Sequence, residues 1–147
     1  MRKALVIAGL MIALSFASAK GYFGVFSGYP EVIGVQYTMD SGMRFSLGVP
    51  YTGAFGIAGS ADMILGTGPL EMEDVDLSYY YGAGLSAAMY FPSSFMVNGH
   101  GLAGVEWVIP ETTFGVFFEA QLGVRYVTWG PPHIGPFFGG RIGVNFH

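Results

Sequence analysis

The most informative alternation in the chain lies at 113–128, TFGVFFEAQLGVRYVT. Taken every second residue, one face reads Phe114, Val116, Phe118, Ala120, Leu122, Val124, Tyr126; the other reads Gly115, Phe117, Glu119, Gln121, Gly123, Arg125, Val127. Successive side chains of an extended strand point to opposite faces, so a period of two predicts a β-strand. The first face has one polar atom, a tyrosine hydroxyl, whereas the second carries a carboxylate, an amide and a guanidinium. At about 3.3 Å per residue such a strand is long for a small sandwich. A strand that wants hydrocarbon on one side and a polar interior on the other has the inside-out distribution of a transmembrane β-barrel.

The same alternation recurs along the chain and predicts strands at 21–28, 32–40, 43–49, 54–64, 75–91, 99–109, 113–128 and 137–146. In the second, Ile33, Val35, Tyr37 and Met39 oppose Gly34, Gln36, Thr38 and Asp40. In the eighth, Phe138, Ile142, Val144 and Phe146 oppose Gly139, Arg141, Gly143 and Asn145. Tyr29-Pro30-Glu31 and Asp40-Ser41-Gly42 are turn chemistry, with Gly42 free to take a positive φ. Loops are expected at 65–74, which is acidic, at 92–98, and at 129–136 with its three prolines. Eight strands place both termini on one side and make the smallest common size of a bacterial single-chain barrel. Closure is required, because an unpaired sheet edge is not tolerated in hydrocarbon. The acidic stretch then falls on the side of the termini, where turns are usually short. Either the fifth strand starts early and protrudes there, or the strand count fails in that region. Tyr22, Tyr37, Tyr51, Tyr79, Trp107, Tyr126, Trp129 and Phe146 are the candidates for aromatic girdles.

The charges test the register. Arg44, Arg125 and Arg141 all fall on polar faces, as do Asp40, Asp62, Glu106 and Glu119, although the apolar alternation alone set the frame. Slipping a strand by one residue would send its charge to the lipid side, where an arginine at mid-bilayer costs about 2–4 kcal/mol. An eight-stranded interior is only just wide enough for its own side chains. The expectation is therefore a packed polar core in which Arg44, Arg125 and Arg141 pair with Glu106, Glu119 and Asp62, since an unpaired buried charge is strongly unfavourable. Ion conduction along the charged ladder is the functional alternative to that plugged core.

Composition narrows the class. Glycine is 24 of 147 residues, charged residues are 11% and aromatics 16%, a balance that excludes disorder. There is no cysteine, hence neither a disulfide framework nor a thiolate metal site. Arg2 and Lys3, the apolar run 4–16 and Ala17-Ser18-Ala19 have the form of a secretory signal peptide at 1–19, leaving one domain at 20–147. The apolar run is too short for a membrane-spanning helix, which needs about 20 residues. Cleavage would leave Lys20, Arg44, Arg125 and Arg141 against ten acids, which argues against a nucleic-acid partner.

Chemistry-bearing motifs are sparse. Gly82-Ala83-Gly84-Leu85-Ser86-Ala87 matches a dinucleotide fingerprint formally but sits within a strand, with no helix to receive a phosphate. Gly84-Leu85-Ser86-Ala87-Ala88 lacks the closing glycine of a nucleophile elbow. His100, His133 and His147 have no metal-ligand spacing. His100 with Ser93 or Ser94, with Glu106 as the optional orienting acid, is the one candidate set for a hydrolase at the barrel rim; the competing reading of His100 is an interfacial histidine. Glu71, Glu73, Asp74 and Asp76 offer oxygen ligands for Ca²⁺ but lack the spacing of an EF-hand, and a solvated acidic loop is the simpler account. No catalytic, cofactor-binding or metal-binding residue is assigned, and no cofactor.

Tyr79-Tyr80-Tyr81-Gly82-Ala83-Gly84, Gly104-Val105-Glu106-Trp107, Phe117-Phe118-Glu119 and the run from Gly139 to Phe146 resemble the small eight-stranded outer-membrane barrels of Gram-negative bacteria, of the outer-membrane protein A type. The likeness covers about residue 77 to the end. The last segment is similar to the carboxy-terminal signal read by the barrel assembly machinery, except that His147 follows the aromatic Phe146. The resemblance implies an all-β, up-and-down transmembrane barrel in the outer membrane, with membrane lipid and the assembly machinery as partners, and a monomer. It carries no functional residue onto this chain. The function expected is non-enzymatic, structural or interactive at the cell envelope. The alternative is a rim hydrolase of the lipid A deacylase type, although the His-x-Ser pairing of those barrels is absent. A soluble lipocalin-like barrel would need polar outward faces, which these strands do not have.

Overall fold

The computed structural model describes residues 20–50, 55–72 and 75–147. The segment 1–19, expected to be a signal peptide, lies outside the described residues, as do Tyr51, Glu73 and Asp74. Eight strands follow in order: β1 Gly21–Tyr29, β2 Glu31–Met39, β3 Met43–Pro50, β4 Gly56–Met72, β5 Val75–Tyr90, β6 Ser94–Val108, β7 Phe114–Val127 and β8 His133–Phe146. Each pairs antiparallel with its sequence neighbours, and β1 pairs with β8, so the sheet closes as an up-and-down barrel. The β1–β8 seam runs from Phe23 opposite Phe146 to Tyr29 opposite Gly140.

Alternation sorts the side chains by face. Gly34, Gln36 and Thr38 of β2, Arg44 and Ser46 of β3, and Ala58, Ser60 and Asp62 of β4 point inward and are buried or nearly so. Val35, Leu47, Ile57, Leu85, Phe118 and Leu122 stand outward and exposed. Every Asp, Glu and Arg within the described paired strands has the parity of the inner face. Aromatic side chains gather at both ends of the wall. On the side of the termini, Phe23 meets Tyr37 and Phe114 meets Phe146, with ring centroids 4.7 and 5.4 Å apart. At the opposite end, Phe55 stacks on Phe91 at 6.0 Å and Phe95 lies against Tyr126 at 5.8 Å.

Several boundaries differ from the sequence expectation, each for a local reason. The stretch 65–74, read as a loop, is strand as far as Met72: β4 pairs with β5 out to Met72 opposite Val75. A bulge at Leu65 interrupts the alternation, since Ile64 opposes Gly82 and Gly66 opposes Tyr81, leaving Leu65 unpaired between them. Beyond the bulge, the rings of Tyr81 and Tyr79 lie over Gly66 and Gly68, close enough that a Cβ at either glycine would come 2.6 or 2.8 Å from them. β6 begins at Ser94 within the expected loop 92–98, and β8 begins at His133 within the expected loop 129–136. Glu31, read as a turn residue, opens β2. A second bulge, between Glu31 and Ile33, leaves Val32 and Ile33 both outward and turns Glu31 inward. Tyr22, proposed for a girdle, pairs with Thr38 and has inner-face parity. Asp40, assigned to the polar interior, is exposed at the mouth. Gly42 takes φ 87° in the β2–β3 turn, as its position required.

Candidate functional site

The interior of the barrel is the site. At its middle the β3 guanidinium of Arg44 is fully engaged: Nε and Nη2 donate to Asp62 Oδ2 at 3.1 and 2.9 Å, and Nη1 donates to Glu119 Oε2 at 2.6 Å. Asp62 on β4 is the hub. Its Oδ1 lies 3.1 Å from His100 Nε2, and its Oδ2 receives Ser60 Oγ at 3.3 Å and faces Arg141 Nη1 at 3.7 Å. Arg141 on β8 donates through Nη2 to Glu31 Oε1 at 2.9 Å and rests its guanidinium on the Phe26 ring at 4.5 Å. Gln121 Nε2 donates to Glu119 Oε1 at 2.8 Å. Arg44, Asp62, Glu119, Arg141, Glu31 and His100 are all buried, with 1–5% of their surface exposed. Two guanidinium groups, three carboxylates and a histidine thus share one set of charge-assisted contacts; Arg44 is fully paired, whereas Arg141 Nε and Nη1, Glu31 Oε2 and His100 Nδ1 make no hydrogen bond.

Nearer the termini, Glu106 Oε1 accepts from Asn145 Nδ2 at 2.8 Å and lies 2.9 Å from His147 Nε2, and Gln36 Nε2 donates to Asn145 Oδ1 at 2.9 Å. At the opposite end the interior turns apolar: Ala58, Ala88, Tyr90, Met96 and Val127 pack together across four strands, and all are buried. Phe117 and Phe137 fill further interior space, with 0 and 1% exposed. The interior is thus a charged middle layer with an apolar stopper at one end and a polar recess at the other.

Of the residues proposed for a charge network, Arg44, Asp62, Glu119 and Arg141 meet in one cluster. Glu106 stands apart from them, with Asn145 and His147. Among the described residues Arg125 is not brought to a carboxylate: it is half-buried near the opposite end, where Nη1 donates to the Tyr29 hydroxyl at 3.2 Å. Two members went unforeseen, Glu31 and His100. His100 is not interfacial but buried mid-strand against Asp62. The rim-hydrolase set is not assembled either, because Ser94 and His100 lie six residues apart on β6, about 20 Å along an extended strand. Of the acidic cluster, Glu71 and Asp76 face each other across the β4–β5 pair. Among the described residues no group of three His, Cys, Asp or Glu side chains is placed to hold a metal ion.

Set against protein-family models, curated proteins and solved structures, the chain matches none. Its geometry defines a class by itself, a closed eight-stranded antiparallel up-and-down β-barrel.

Proposed function

We propose that the chain, after removal of residues 1–19, is an outer-membrane β-barrel with a non-enzymatic structural or interaction role at the cell envelope. The observation that carries this reading is the distribution of side chains about the wall: charge inside, exposed aliphatic and aromatic residues outside. Water would not favour such an exterior on a monomer, whereas lipid hydrocarbon would. Aromatic residues at both ends agree with the interfacial girdles of a spanning barrel. Closure leaves no unpaired wall edge, so a monomer satisfies the membrane requirement on its own. On this reading membrane lipid surrounds the wall, the assembly machinery inserts it, and the interior serves stability.

Membrane fractionation of tagged protein, with gel migration before and after boiling, tests it. Recovery in the outer-membrane fraction with heat-modifiable migration is expected. Recovery solely as soluble periplasmic protein would end the proposal.

A further inference from the structure

The end of the barrel opposite the termini is built without charge. Four connections close it, at Pro30 and at 51–55, 91–93 and 128–132, and none contains an Asp, Glu, Lys or Arg. Among the described residues the exposed charged side chains are Lys20, Asp40, Glu71, Asp76 and Glu111, and all of them belong to the terminus end. The two charges nearest the opposite end are turned inward: Glu31 is buried on Arg141, and half-buried Arg125 donates to the Tyr29 hydroxyl. What this rim does expose is apolar, Ile33, Phe55, Phe91, Trp129 and Ile134 among it, with Phe55 and Ile134 open by 73 and 72%. Ile33 and Ile134 continue the outward faces that carry Val35 on β2 and Phe138 on β8, so no charged collar separates the rim from the wall.

The backbone of the same connections is short of groups that need water. Five of the eight prolines, Pro30, Pro50, Pro92, Pro131 and Pro132, lie in or next to them, and each removes an N–H donor. Short side chains meet groups that remain: Ser27 Oγ donates to the Val32 carbonyl, and Thr128 Oγ1 accepts from Phe95 N at 2.8 Å and donates to Phe95 O at 3.2 Å. Unmet polar groups are what hydrocarbon penalises. The height of the wall leads to the same end. At about 3.3 Å per residue and a tilt of about 40°, the 16 residues of β5 rise about 40 Å, against an apolar band of about 25 Å. One end therefore stands clear of hydrocarbon, and the exposed Glu71 and Asp76 mark it as the terminus end. We propose that the opposite end docks into lipid: its connections lie among the acyl chains and glycerol groups of one leaflet and do not project into water. Lipid is favoured over a protein partner because the rim continues the apolar face of the wall, and connections of one to five residues offer a partner chain no loop to grip. The inference rests on the outer-membrane reading and adds which end of the barrel the membrane covers.

The chain has no cysteine, so single introduced ones report by position. Ser93→Cys and Val32→Cys carry a nitrobenzoxadiazole label in the β5–β6 connection and at the β1–β2 tip, and Asp76→Cys carries it in the β4–β5 hairpin. Each variant is refolded, checked for heat-modifiable migration and set in nanodiscs of dimyristoylphosphatidylcholine, which leave both faces open to solutes. The Ser93→Cys and Val32→Cys labels are expected to emit at shorter wavelength than the Asp76→Cys label, to lose quenching by aqueous iodide, and to be quenched by nitroxide-bearing acyl chains. The Asp76→Cys label should do the reverse. Where one of the first two variants does not fold, the other carries the reading. If the barrel co-elutes with lipid but iodide reaches Ser93→Cys and Val32→Cys as readily as Asp76→Cys, the connections project into water and this inference alone fails. Shielding from iodide without quenching by nitroxide lipid would mean that protein covers the end, and overturns it as well. Failure to co-elute with lipid would sink the outer-membrane reading and this inference with it.

Discussion

Asp62 is the most connected acid of the cluster: the guanidinium groups of Arg44 and Arg141 and the imidazole of His100 all address its two oxygens. Removing it leaves two guanidinium groups short of a counter-charge in a sealed interior. Asp62→Ala should therefore destabilise the barrel by about 3–5 kcal/mol, read by urea unfolding in lipid vesicles. Arg125→Gln removes a single hydrogen bond to Tyr29 at a half-buried rim and should cost about 0.5–1.5 kcal/mol in the same assay. If the two variants lost equal stability, the central cluster would not be the point of greatest sensitivity. Gly143 shows the complementary constraint of space. A Cβ there would come within 2.6 Å of the Phe117 ring and closer still to the backbone oxygen of Val25, so Gly143→Ala should cost about 1–3 kcal/mol through overpacking. Two partners in this cluster escaped the sequence pattern for definable reasons. Glu31 shares the parity of the outward Ile33 and Val35, and only the bulge between them turns it inward. His100 sits in Asn98-Gly99-His100-Gly101, where glycines and a preceding proline loop resemble a strand start; six residues of strand in fact precede it. Arg44, Asp62, Glu119 and Arg141 were legible because strict alternation holds through each of their segments.

At the scale of the element, the β4–β5 pair is the departure from a uniform wall. β3 ends its pairing with β4 at Met43 opposite Met63, so residues 65–72 of β4 continue with β5 as their partner strand. Pro69 lies on this free edge, where its missing N–H breaks the row of donors that would template another strand. The sequence hid this extension because a bulge, two glycines and a proline between Leu65 and Leu70 carry the marks of a loop, and periodicity cannot be followed across a bulge. Its start at Val75 was within reach of the pattern, since Val75, Leu77, Tyr79 and Tyr81 continue the outward face. Bonded on one side only, the extension should open more readily than the wall. Amide exchange of Leu70 and Met72 is expected to be faster than that of Ala58, Ser60 and Asp62, which have strands on both sides. Equal protection along β4 would show that an additional partner covers the free edge.

At the scale of the whole molecule, the interior is graded along the barrel axis, and the gradient decides whether anything passes. An ion entering from the terminus side meets the recess beside Glu106, then Arg44 locked between Asp62 and Glu119, then Arg141 locked to Glu31. None of these groups can follow the ion without abandoning a buried partner. Past Arg44 lies the apolar cluster of Ala58, Ala88, Tyr90, Met96 and Val127, whose own side chains carry no oxygen except the tyrosine hydroxyl and which has Glu31 and Arg125 beside Tyr90. Two barriers of different origin thus stand in series, one electrostatic and one of desolvation. Relaxing the first should not open the second. In planar bilayers the refolded protein is expected to give no steady unitary conductance, and Asp62→Asn, which loosens the ionic layer without touching the stopper, should remain equally silent. Reproducible current steps from the unaltered protein would require a continuous water path through the Met96 layer, and would replace the plugged interior with a pore.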